Sequence, residues 1–234
     1  MRNKWWAKIL RGFGIVLMSL TALFTLLGGA GTTCVALDPT GFGEKFAGIA
    51  PFQWLWILFV LLGIANGVMG IRAVVLLARG TKSAYGNSLL ALLLGTGLNA
   101  IHLIASRLLR GGSLPVDAVL YTNLLTLVIF LLFRLPSLRQ AVDFEKPVND
   151  GKGAGAAVSI ALAVSGLLVL SVPTLMAPTH TIGSVNYADA WHGMLTWIAA
   201  LLLMGALIAW VAVRSRQGRR RGDISSPFHK TSGG

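Results

Sequence analysis

The sequence predicts an all-α, polytopic membrane fold of about six transmembrane helices, with both termini on the cytoplasmic side. Three observations predict it. The 234 residues are 55% apolar and only 12% charged, with a mean hydropathy of +0.73; a soluble domain carries about 25% charged residues. The apolar residues gather in six long runs. Finally, 17 of the 20 Lys and Arg residues lie in segments that six crossings would leave on one side. A water-facing surface cannot be built from so few charges, so most of the surface has to face lipid or other apolar protein.

A helix needs about 20 apolar residues to cross the roughly 30 Å hydrocarbon core. The spans are expected at 13–30, 52–77, 88–106, 116–133, 154–176 and 193–213. Each run is too long for a typical strand, and none alternates with the period of two that marks an outer-membrane barrel. Orientation follows from the basic residues. Arg2, Lys4, Lys8 and Arg11 precede the first span. Arg72, Arg79 and Lys82 join the second to the third. Arg134, Arg139, Lys146 and Lys152 join the fourth to the fifth. Arg214, Arg216, Arg219, Arg220, Arg221 and Lys230 follow the sixth. The opposite side holds only Lys45, Arg107 and Arg110. Aromatic residues agree, because amphipathic rings prefer the headgroup zone. Trp5, Trp6 and Trp210 flank the inner boundary, and Trp54, Trp56, Trp191 and Trp197 the outer one.

The first span, with its basic start, has a cleaved signal peptide as its alternative reading. Cys34 follows the small-residue run 28–33, but Gly31 stands where a lipid-modified cysteine would want Leu. An outer loop, 31–51, carries the turn signal Asp38-Pro39-Thr40-Gly41. The second span holds Gly63, Gly67 and Gly70, with Asn66 among them. Lipid gives helices little drive to associate, so small residues that permit close approach mark a packing face. Arg72 is expected to mark where this helix leaves the bilayer.

The third span carries the most information. Gly95, Asn99, His102 and Ser106 recur at i, i+4, i+7 and i+11, which is one face of a helix. A polar stripe must point into the bundle or a wet cavity, since unsatisfied polar groups in hydrocarbon cost several kcal/mol. Arg107 and Arg110 sit at its outer end. They suit an anionic lipid headgroup, a quinone head or an anionic substrate; the simpler reading is that they snorkel to water or pair with Asp117 or Asp189. A tight turn, 110–115, makes the fourth span an antiparallel neighbour, whose Thr122, Asn123 and Thr126 are expected to face the stripe.

Residues 136–153 are polar and Gly-rich and read as a cytoplasmic linker. They divide the chain into a four-helix block, 1–135, and a two-helix hairpin, 154–213. No sequence repeat relates the two, so inverted-repeat symmetry has no support. The tail, 214–234, is basic and then Ser/Gly-rich, and is expected to be disordered, with 219–221 drawn to anionic lipid.

The net charge of +12 raises nucleic acid as a partner. The basic residues cluster at the ends of apolar runs, however, which suits anionic membrane headgroups and not a nucleic acid. A single cysteine excludes an intrachain disulfide. No span has an Asp or Glu at its centre, where ion-coupled carriers place one. There is no phosphate loop, CxxCH or HExxH, which excludes an ATPase or a zinc peptidase, and no catalytic or metal-ligating set is assigned. His102 and His192 are candidate axial ligands for haem b, with His180 at similar depth and His229 in the tail. The simpler reading of His102 is a structural residue that hydrogen-bonds its neighbours.

The expected function is a non-catalytic subunit or scaffold of a membrane assembly. It would sit in the plasma (inner) membrane, packed against lipids and other membrane subunits. The alternatives are a haem- or quinone-linked electron-transfer subunit, and a small transporter or lipid-handling protein whose cavity the stripe would line.

Overall fold

The computed structural model describes residues 5–146, 152–182, 184–186, 189 and 191–224, with side chains in those ranges except at 152–154, 178–180, 182 and 216–224. Among these residues the chain is all-α but for one two-residue hairpin. The long helices are α1 (Trp5–Gly31), α4 (Gln53–Arg79), α5 (Ala84–Arg110), α6 (Val116–Leu132), α8 (Lys152–His180) and α9 (His192–Ile224). Short helices fill the connections: α2 (Thr33–Leu37), α3 (Glu44–Ala47), a 3-10 turn (Ala50–Phe52) and α7 (Pro136–Val142). Strands Thr181–Ile182 and Val185–Asn186 pair antiparallel between α8 and α9. Five helices are long and apolar enough to cross a membrane, and a sixth crossing results if α6 and α7 count as one bent span.

Local chemistry sets the helix ends. α4 and α5 each stop at a glycine in the left-handed region, Gly80 at φ 68° and Gly111 at φ 67°; a Cβ disfavours that conformation and glycine lacks one. α6 stops before Pro136. The proline ring pushes Leu135 out of the helical region, to ψ 133°, and α7 leaves at 97° to α6.

α1, α4, α5 and α6 form a closed ring of four: α1 on α4, α4 on α5, α5 on α6, and α6 back on α1. α8 packs outside this ring against α1, and α9 packs chiefly on α8. The ring is built on close backbone approach. A Cβ on Gly67 would lie 2.9 Å from the Leu26 backbone, one on Gly70 2.8 Å from Ala22 Cβ, and one on Gly63 3.2 Å from Gly29 Cα. The expected glycine face is therefore the seam between α4 and α1.

Three expectations need correction. First, 136–153 is not a plain linker. α7 is helical, and Phe144 is buried among Phe130, Phe133 and Tyr85, with ring centroids 5.5 to 6.3 Å away. The aromatic side chain supplies apolar surface that outweighs the polar composition around it. Second, α8 and α9 are not a detached hairpin, because α8 lies along α1, with Ala157 in the same core as Ile15 and Met18. Third, helix covers the first part of the segment expected to be disordered, since α9 runs past Arg214 to Ile224. Arg72 is exposed on α4, which continues to Arg79. The tail from 225, His229 and Lys230 included, lies outside the described residues, as do the side chains of Lys152, His180, Arg216 and 219–221.

Arg11 closes one end of the ring. Its guanidinium donates to the carbonyls of Asp143 (3.0 Å), Lys146 (3.0 Å) and Leu77 (3.2 Å), and lies 6.0 Å from the Phe144 ring centre. The α4 C-terminus leaves carbonyls without helical donors, and a planar guanidinium can serve several at once.

Candidate functional site

Polar side chains from three of the four helices converge on the axis of the ring. α1 supplies Thr21 and Thr25, α4 supplies Asn66, and α6 supplies Asn123 and Thr126; all five are buried. Thr21 Oγ1 and Thr126 Oγ1 are 2.7 Å apart. Asn123 Nδ2 donates to Thr25 Oγ1 at 3.0 Å and to its own helix at Val119 O. Thr25 Oγ1 donates back to Thr21 O at 2.8 Å. α5 contributes a gap in place of a polar group: a Cβ on Gly95 would sit 2.5 Å from Asn123 Oδ1 and 2.6 Å from Asn66 Nδ2. Hydrogen bonds between membrane helices are worth about 0.6 kcal/mol on average, up to about 1.7. The cluster fixes which faces meet more than it glues them.

The stripe Gly95, Asn99, His102 and Ser106 is buried along its whole length. Its members have different surroundings. Asn99 Nδ2 donates to Gly95 O at 2.7 Å, within its own helix. His102 lies in an aromatic sleeve from α4, with its ring stacked on Phe59 at 4.3 Å and edge-on to Trp56 at 5.9 Å. Ser106 Oγ is buried without a hydrogen-bond partner. Of the α6 residues expected to face the stripe, Asn123 reaches it at Gly95. Thr126 bonds α1 instead, and Thr122 is half-buried and bonds Ala118 O of its own helix. Trp56, expected at a headgroup boundary, is 2% exposed and belongs to the core, because the sleeve around His102 uses its ring.

His102 and His192 are not brought together. α5 packs on α4 and α6, whereas His192 is exposed at the start of α9, which packs on α8. Among the described residues, no three His, Cys, Asp or Glu side chains lie close enough together to share a metal ion. Arg107 and Arg110 stand at the end of α5 and are largely engaged. Arg107 Nε donates to Ser113 Oγ at 3.1 Å, and its Nη2 lies 3.7 Å from Asp117. Arg110 donates to Leu114 O at 2.7 Å and sits 5.4 Å from the centre of the Phe46 ring.

No protein family, curated protein or solved structure matches the chain. The functional reading therefore rests on the side chains alone. Sequence reasoning missed Thr21 and Thr25 as parts of the polar cluster and Trp56 as part of the sleeve around His102. Thr21 and Thr25 are spaced i, i+4 on an otherwise apolar helix, and that spacing was the available signal.

Proposed function

We propose that the protein is a non-catalytic integral subunit or scaffold of a membrane assembly. It would sit in the plasma membrane with both termini in the cytoplasm and its basic segments on anionic headgroups. The observation that carries this reading is the state of α9. Only 11% of its apolar window is buried within the chain, against 39% for each of the first three spans. Met194, Trp197, Leu201, Met204, Ile208 and Val211 recur at alternating steps of three and four, and all are exposed. That spacing is the seam pattern by which one helix lies along another. The polar residues of the ring support the same reading, since those at its axis are largely spent on holding helices together.

Purification from native membranes in mild detergent tests the proposal. It expects a second membrane chain in fixed stoichiometry, lost when Leu201 and Ile208 are both changed to Ala. A homogeneous single chain, with no partner cross-linked through cysteines placed at positions 201 and 208, overturns it.

A further inference from the structure

The axis of the four-helix ring is not fully closed. A cavity of about 10 Å³ lies there, lined by Thr21, Thr25, Asn66, Asn123 and the apolar faces of Met18 and Leu92. This is at the lower end of the space a single water needs. Two buried amides face it from diagonal helices. Asn66 is 7% exposed and Asn123 is 1% exposed. Asn66 makes no direct hydrogen bond to Asn123, and its Oδ1 has no partner at all. Asn66 Nδ2 and Asn123 Oδ1 lie within 2.6 and 2.5 Å of the point a Gly95 Cβ would occupy. They are therefore no more than about 5 Å apart, within the reach of one bridging water.

We propose that this gap is a binding site for one water molecule, which joins Asn66 of α4 to Asn123 of α6 across the bundle axis. Water matches the site because it both donates and accepts, so it satisfies whichever end of the Asn66 amide faces it. Thr25 Oγ1, beside Asn123, adds a further polar neighbour. The lining groups are neutral amides and hydroxyls, and the helices run through without a break that would free backbone carbonyls. A bare cation would therefore find neither a charge to offset its own nor a full shell of oxygens. Gly95 leaves both amides the room to approach: a Cβ there would collide with Asn123 Oδ1 and Asn66 Nδ2 and push them out of place.

The inference predicts one density peak within hydrogen-bonding distance of both amides, in a map of the full chain fine enough to show ordered water. An empty gap, or a direct Asn66–Asn123 bond, overturns it. A melting temperature that rises when sodium or potassium replaces choline also overturns it, in favour of a cation. A double-mutant cycle supplies a second measurement. Asn66→Leu and Asn123→Leu should each lower the melting temperature by several degrees, because each strands the other amide and the water. The double variant should lose clearly less than the two losses combined. Additive losses would refute the bridge.

Discussion

The four-helix ring and the α8–α9 hairpin are built from similar apolar sequence but are held by different means. In the ring, glycines bring backbones together, and buried hydroxyls and an amide link α1 to α6. In the hairpin, α8 and α9 meet largely through apolar contacts of Val169, Leu195 and Ala199, with one buried inter-helix bond, Ser159 Oγ to Ala206 O at 2.8 Å. Among the described residues, the outer face of α9 is exposed. In lipid, hydrophobicity alone does not tell one helix arrangement from another, so specificity has to come from shape and polar pairing. The ring has both in quantity. The hairpin has a close approach of its own at Gly166, where a Cβ would lie 2.8 Å from Leu203 Cγ and 3.2 Å from Ala199 O, but it has less polar pairing and leaves one face of α9 exposed.

The largest effect that would break this contrast lies at the glycine seam. Gly67→Leu places a side chain against the Leu26 backbone, which cannot move without separating α1 from α4. A loss of about 3 kcal/mol or more is expected, read as a collapse of the melting temperature and of membrane abundance. Gly205→Ala in the hairpin is the control. Its new methyl would meet Leu162 Cδ1 at an ordinary 3.5 Å, and the melting temperature should stay nearly unchanged. If both are tolerated, the ring is not held by close approach.

Next in size is the axis. Asn123→Ala removes the bond to Thr25 and opens a small void, with an expected loss of about 1 kcal/mol. Ser159→Ala in the hairpin should cost less, about 0.6 kcal/mol. Thermal unfolding of the two variants in the same detergent compares them directly, and the reverse order would contradict the division drawn here. On α9, the pair Leu201→Ala and Ile208→Ala should change the stability of the isolated chain by less than about 0.5 kcal/mol while abolishing partner recovery. The smallest effect belongs to the ring's exposed rim. Asp117→Asn removes the 3.7 Å pair with Arg107, whose side chain is 55% exposed, and should cost a few tenths of a kcal/mol. That difference should fade as salt is raised.

The helices were legible because length and hydropathy determine them almost alone, and each expected span lies within or next to a helix of the structure. The faces were legible in part. The period of Gly95, Asn99, His102 and Ser106 correctly marks a buried stripe, and Gly63, Gly67 and Gly70 correctly mark a seam. The partners of those faces were not legible, since periodicity says which side of a helix is buried and nothing about what it meets. Gly67 meets α1, and Thr126 turns to Thr21 in place of the stripe. Composition misled most at Phe144, where one aromatic ring in a polar stretch docks into the core.

The clamp around Arg11 has a consequence for how the molecule is made. Two of its three acceptor carbonyls belong to Asp143 and Lys146, and the first lies 132 residues further along the chain. A ribosome delivers the guanidinium long before it delivers those acceptors. Until then, of these three acceptors, only the Leu77 carbonyl can be present to receive it, so the full clamp closes only once the segment that follows α7 has emerged.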